Sequence, residues 1–286
     1  MKSKKTFLVL IVLFIISFIY TKLSENINED KNIVVPSGSL AVSFLDVGQG
    51  DSEFIEFPNG KCMLIDASEK DAGDEIVRHI RNKGYEKIDY VVATHPHSDH
   101  IGGMRQIVDS FEVGVVYMPE EVTTTKVFAN LLKAIKDKKI LVKKAKKGVS
   151  FSEGDAYCEF LSPVSDEYEE LNNWSAVVKI SFGETEFLFT GDAEELVEEQ
   201  LVQTNANVKA DVLKVGHHGS STSSSMAFLR AVKPKIAVIE CGKDNEYGHP
   251  HYETIQRLER IGAKIYRTDL DGTVVITSDG VEVTKL

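Results

Sequence analysis

Cysteine is scarce: Cys62, Cys158 and Cys241 are the only three in 286 residues, far apart and without CxxC spacing. That excludes a disulfide framework, and since each sits in or beside an apolar run they read as small buried hydrophobes. Positive charge is also lacking. With 33 basic against 44 acidic residues and a formal net charge of -11, no global field draws in nucleic acid or an anionic membrane, so any such binding is local. Trp174 is the single tryptophan, and no aromatic stripe offers a base-stacking surface. No tandem repeat of the solenoid kind is present.

Long apolar runs are absent except at the amino terminus, where Lys2, Lys4 and Lys5 precede Phe7 to Tyr20, interrupted only by Ser17. The run suits a signal h-region or a short anchor. No small-x-small cleavage site and no lipobox-type cysteine follow it, which favours an uncleaved signal-anchor over a cleaved, secreted form. Lysines before the run and Glu25, Glu29 and Asp30 after it place the amino terminus in the cytoplasm and the body outside. The expected division is an anchor at 1–21, a polar linker at 22–39 with Pro36 and Gly38 near its end, and a catalytic domain at 40–286.

What remains is 42% hydrophobic and 27% charged over the whole chain, as for one large globular domain. Its opening reads as a β-meander: strands at 41–47, 53–57 and 62–66 around a turn at Pro58-Asn59-Gly60. A βα alternation follows, with helices at 74–83, 103–109 and 125–138 and strands at 88–93 and 115–118. The second half repeats this grammar. Strands at 158–161, 176–182, 186–190, 211–215 and 236–240 alternate with helices at 194–202, 224–232 and 252–261, and closing strands lie near 264–266, 274–277 and 281–284. Two sheets flanked by helices bury all of these.

Seven of the eight histidines fall in three short segments. The densest is Thr94-His95-Pro96-His97-Ser98-Asp99-His100-Ile101-Gly102-Gly103, directly after the strand. If the backbone stays extended there, His95, His97 and Asp99 project to one side. Asp192 follows the apolar strand ending at Thr190-Gly191, and His217 and His218 follow Asp211 to Gly216. Each is a buried strand ending in a Gly-containing turn that presents a ligand. Imidazole plus carboxylate suits a divalent metal, zinc first and manganese as the alternative. Asp46 and Asp66 at strand ends are candidates to fix the ligand tautomers, or else turn caps. Gly219 to Ser225 leads into a helix and reads as an anion site using Ser220, Ser221 and Thr222, or as a loop capped by Ser223 or Ser224. The lysine-rich stretch 133–147 is a solvated surface or a patch for phosphates.

The ordered motifs Phe44-Leu45-Asp46-Val47-Gly48-Gln49-Gly50-Asp51-Ser52, Leu64-Ile65-Asp66, His95 to Gly103, Asn172-Asn173-Trp174-Ser175, Thr190 to Glu194, Lys214 to Ser220 and Tyr247-Gly248-His249-Pro250 resemble the metallo-β-lactamase superfamily. Within it they are similar to the hydrolase domain of ComEC-type DNA-internalisation proteins. The resemblance runs from about Leu40 to the carboxyl terminus and implies an α/β αββα sandwich with a metal centre between the sheets. It implies that His95 and His97 bind a first metal, Asp99 and His100 a second, that Asp192 bridges both, and that His218 or His217 completes the second site. Where many members carry a third histidine for the first metal, this chain has the asparagine motif, so unequal affinities are expected. His249 would sit at the rim and donate to a substrate oxygen, with His251 facing solvent. Trp174 lines the cleft beside Asn173, or belongs to the core or a lid.

Two cations would lower the pKa of a shared water and clamp the attacking and leaving oxygens, with Asp99 orienting that water. The expectation is an exported, membrane-tethered hydrolase: a phosphodiesterase or nuclease that uses a metal-bound hydroxide on DNA, a cell-wall polyanion or another phosphate-containing substrate. The alternatives are a same-scaffold hydrolase of a lactam, lactone or choline-phosphate ester, and a non-enzymatic binding module whose metal holds the fold.

Overall fold

In β3, Cys62–Ile65, four consecutive apolar side chains are buried because both faces are covered: Met63 and Ile65 point into the layer between two sheets, Cys62 and Leu64 toward helices. This period-two division recurs throughout and makes the architecture. A computed structural model of the chain describes residues 34–286. The expected anchor at 1–21, and the linker as far as residue 33, lie outside the described residues.

Strands β1 (Leu40–Phe44), β2 (Glu53–Glu56) and β3 pair antiparallel as the expected meander. β4 (Lys87–Val92), β5 (Glu112–Met118) and β6 (Leu141–Lys144) then add in parallel. The crossovers carry α1 (Gly73–Asn82), α2 (Ser98–Ile101) with α3 (Met104–Ser110), and α4 (Lys126–Asp137). Closing strands β14 (Val274–Ser278) and β15 (Val283–Lys285) return to pair beside β1, giving eight strands.

The second sheet has seven strands. β7 (Ser150–Glu153), β8 (Ala156–Phe160), β9 (Val178–Phe182) and β10 (Thr185–Phe189) are antiparallel, while β11 (Val212–Lys214), β12 (Ile236–Ile239) and β13 (Lys264–Arg267) continue from β10 in parallel. Helices α5 (Glu195–Gln203), α6 (Met226–Val232) and α7 (Tyr252–Arg260) form its crossovers, and α8 (Thr268–Asp271) follows β13. Phe44 stacks on Phe189 across the sandwich with ring centroids 6.0 Å apart, and each sheet's outer face packs on its own helices. The αββα arrangement is therefore present.

The three cysteines are buried and free. They lie in three different apolar layers, Cys62 under the first helical layer, Cys158 between the sheets and Cys241 under the second, so they act as packing residues. Strands β6 and β7 were not anticipated. β6 is fully exposed along Leu141-Val142-Lys143-Lys144, and with no buried face it has no alternation to read. Among the described residues, no helix is long and apolar enough to cross a membrane.

Because β3 to β6 and β10 to β13 run parallel within their sheets, the segments that follow them collect at one end of each. The ligand-bearing segments are among these.

Candidate metal centre

Asp66 follows β3 with a left-handed backbone (φ 53°). Its carboxylate accepts from the Thr94 N–H (2.8 Å), the Thr94 hydroxyl (2.5 Å) and His100 Nδ1 (2.8 Å). The His100 proton therefore sits on Nδ1, and Nε2 faces Asp192 Oδ2 at 3.2 Å. The chain already bends at His95-Pro96, His97 alone is extended, and the two rings meet through Nε2 and Nδ1 at 2.9 Å. Helix α2 begins at Ser98, so Asp99 and His100 come from one helical turn, a correction to the extended reading through Asp99. That turn aims Asp99 Oδ2 at His218 Nε2, 3.2 Å away.

From the second sheet, the turn after β10 has Gly191 at φ 50°, where an added Cβ would press on Thr94 at 3.0 Å. It delivers Asp192, whose N–H donates to Ser175 Oγ at 3.0 Å. After β11, His217 and His218 are both left-handed (φ 50° and 51°). In extended chain, neighbouring side chains diverge; here both rings turn to the same carboxylate. Asp192 Oδ2 lies 3.2 Å from His100 Nε2, 3.7 Å from those of His217 and His218, and 3.8 Å from that of His95.

One oxygen thus meets four imidazole nitrogens, while Asp192 Oδ1 is buried without a hydrogen-bond partner among the described residues. Donor atoms of Asp99, His100, Asp192 and His218 all lie within 4.8 Å of one another. An orphaned carboxylate oxygen among convergent N and O donors fits a divalent cation. Asp192 is 2% exposed, and burial alone would raise its pKa, but His100 and His218 pull it well below the usual range. Burial likewise opposes charge on His218, yet Asp192 and Asp51 push it up to about 10. His95 goes the other way, held well below its ordinary value by burial and by His100. Asp99, His100, Asp192 and His218 form the carboxylate-rich half of the cluster, and His95 with His97 the poorer one.

Several expected residues sit elsewhere. Asp46 is exposed, its N–H donating to Thr273 Oγ1, so it does not orient a ligand. Asp51 does, with Oδ1 3.1 Å from His218 Nδ1, which also meets Glu240 O at 3.0 Å. A Cβ at Gly50 would overlap Asp99 O and the Ser68 side chain, so the loop bearing Asp51 is pressed against the ligand turn. Asn173 is buried and clamps Glu194, accepting its N–H at 3.3 Å, whereas Asn172 reaches the cavity. Trp174 packs edge-on against Tyr168 and donates to Tyr168 O at 3.3 Å, a core role.

The loop 220–225 is not an open anion nest, because every N–H in it is used internally. Ser220 donates to His217 O, Ser221 to His251 Nδ1, Thr222 to Ser220 Oγ and Ser223 to Ser220 O. Ser224 and Ser225 donate to the Glu198 carboxylate at 2.5 and 2.8 Å. Ser225, not Ser223 or Ser224, caps α6. His251 therefore faces Ser221 rather than solvent and braces this loop. Thr222 stays exposed, with its hydroxyl 3.2 Å from His217 Nδ1.

A cavity of about 300 Å³ opens over the cluster, lined by Gln49, His97, Asn172, His217, Tyr247 and His249 among others. His249 lies at its rim, its ring 5.5 Å from that of His217 and 5.6 Å from that of Tyr247. Burial, then His218 and His217, push its pKa down to about 4, so it is neutral at pH 7. A second hollow of about 300 Å³ shares Gln49, Asp99 and Tyr247 and is acidic through Glu69 and Glu246.

The family described as the Metallo-beta-lactamase superfamily matches residues 45–243. The chain belongs to that superfamily. Among curated relatives of this metallo-β-lactamase-fold protein, it is 31% identical over 250 residues to ComE operon protein 3 of Bacillus subtilis (strain 168), covering 82% of this chain and 32% of that one. To Competence protein ComA of Neisseria gonorrhoeae it is 33% identical over 253 residues, covering 84% and 32%. It thus spans about a third of the length of these competence proteins. Among solved structures, Tm1679, a metal-dependent hydrolase of the β-lactamase superfamily, superposes with a TM-score of 0.53 at 12% identity, covering 80% of this chain and 95% of that one. That match shows the fold alone.

Proposed function

We propose that this superfamily hydrolase is a metal-dependent phosphodiesterase acting on a phosphate polymer such as DNA or a cell-wall polyanion. We also propose that it is exported and held at the membrane by residues 1–21, with the hydrolase domain at 40–286. The observation that carries the reading is the convergence of four histidine Nε2 atoms on Asp192 beneath a polar cavity.

Asp99, His100 and Asp192, with His218 or His217, would hold one divalent ion, and His95 and His97, with Asp192 shared, a weaker one. Bound there, zinc or manganese lowers the pKa of water and neutralises charge on phosphoryl oxygens. Asp99, partly exposed beside the cavity, orients the attacking water. Neutral His249 offers a rim contact to a substrate oxygen, and Thr222 and Asn172 offer further polar contacts.

Polymer binding is favoured by Lys143 and Lys144, which pair in register with Tyr117 and Met118. Met118 lines one small hollow with His95 and Pro96, so the lysine run starts one strand from the site. Glu69 and Glu246 line the neighbouring hollow and disfavour a phosphate chain there. The relatives' names, a ComE operon protein and a competence protein, support DNA among polyanions. The test is turnover by the full chain, loaded with zinc or manganese, of single-stranded DNA, bis-p-nitrophenyl phosphate and nitrocefin. Phosphodiester cleavage lost in Asp192→Ala is expected. Nitrocefin turnover with inert phosphodiesters would overturn the substrate class.

A further inference from the structure

Lys214, the last residue of β11, is 0% exposed. A buried ammonium is costly unless every proton is used, and its chain neighbours Val212, Leu213 and Val215 show that this core accepts apolar side chains. Its Nζ meets the Asp51 carboxylate through Oδ2 and donates to Gly191 O at 3.3 Å. The other Asp51 oxygen, Oδ1, faces His218 Nδ1 at 3.1 Å. Asp51 also joins the ligand turns through its backbone: its N–H donates to Asp99 O at 3.2 Å, and its carbonyl accepts from the Ser68 N–H at 2.9 Å. Gly191 O accepts from the His217 N–H at 3.1 Å as well. Lys214 therefore touches, directly or through Asp51, every segment that carries Asp99, Asp192, His217 and His218.

We propose, resting on the metal-site reading above, that Asp51 and Lys214 are a positioning pair that fixes His218 as a metal ligand. Glu240 O accepts the His218 Nδ1 proton at 3.0 Å, with the Asp51 Oδ1 charge 3.1 Å from the same nitrogen, which leaves the Nε2 lone pair facing Asp99 and Asp192. Lys214 holds Oδ2, so the carboxylate cannot turn away from the imidazole. An amide at position 51 keeps the shape but removes the negative charge, which leaves the Lys214 ammonium uncompensated among the ligand turns.

The test is zinc affinity of the full chain, by chelator competition, for wild type, Asp51→Asn, Lys214→Met and the double variant. Asp51→Asn should weaken zinc binding by roughly 10- to 100-fold. The double variant should bind several-fold more tightly than Asp51→Asn alone, because the uncompensated buried ammonium is gone. Lys179→Met is the comparator: Lys179 is 2% exposed and pairs with Glu186 at 2.7 Å, so its loss should lower the melting temperature and leave zinc affinity unchanged. Asp51→Asn within twofold of wild type overturns the proposal, as does a double variant carrying the full sum of both losses. If Asp51→Asn fails to fold, Lys214→Met against Lys179→Met decides: equal zinc affinities overturn the pair, and a selective loss at Lys214 supports it. A wild type that binds no zinc refutes the metal reading and the pair together, whereas a zinc-binding wild type indifferent to Asp51 refutes the pair alone.

Discussion

Glu198 on α5 is 2% exposed, and its carboxylate accepts the N–H groups of Ser224 and Ser225 ahead of α6. Burial outweighs those bonds and pushes its pKa from the ordinary 4.5 up to about 7. Between these values the folded chain holds a proton that the unfolded chain has released, so stability falls as pH rises through that window. From pH 5.5 to 8 the cost through this one group works out at about 2 kcal/mol. Glu198→Gln cannot ionise and keeps one acceptor for the two N–H groups, so it should be less stable than wild type at pH 5.5 and should regain about 2 kcal/mol relative to it by pH 8. Urea unfolding in excess chelator, followed by fluorescence of the single buried Trp174, gives both numbers. An offset between the two proteins that is the same at both pH values would refute the reasoning.

Zinc titration should show two unequal phases, with His97→Ala removing the weaker one and Asp192→Ala both; two equivalents of equal affinity would contradict the assigned halves. Replacing Lys143, Lys144, Lys146 and Lys147 by alanine should lower the slope of log affinity against log salt for single-stranded DNA by up to about 3, each lost phosphate contact contributing roughly 0.7. An unchanged slope would return these lysines to a solvated surface. Protease added to intact cells should remove the hydrolase domain, and complete protection with cleavage only after lysis would refute export.

The ligand side chains were legible because each follows an apolar strand with a period-two face, and strand ends in a sandwich are few. Asp66 was legible for the same reason. Asp46 was not separable from Asp51 by such reasoning: both lie near strand ends, and only the steric demand at Gly50 against Asp99 O decides which one faces the histidines. The serine-rich loop misled because its composition suits an anion nest, while the groups that use its amides, Glu198 and His251, lie 26 and 30 residues away. Strand β6 was hidden by having no buried face. Long-range pairing of this kind leaves no local periodicity to detect.

The left-handed backbone at His217 and His218 has a consequence for how this centre is dissected. At most positions alanine is the mild deletion and glycine adds chain entropy to the damage. Here the preference inverts, since a left-handed residue with a Cβ costs roughly 1–2 kcal/mol that glycine avoids. Alanine at either position would remove the ring and keep the backbone strain without the contacts that compensate it. Glycine would remove the ring and relieve the strain. Comparing the two substitutions separates what an imidazole contributes from what its backbone conformation costs.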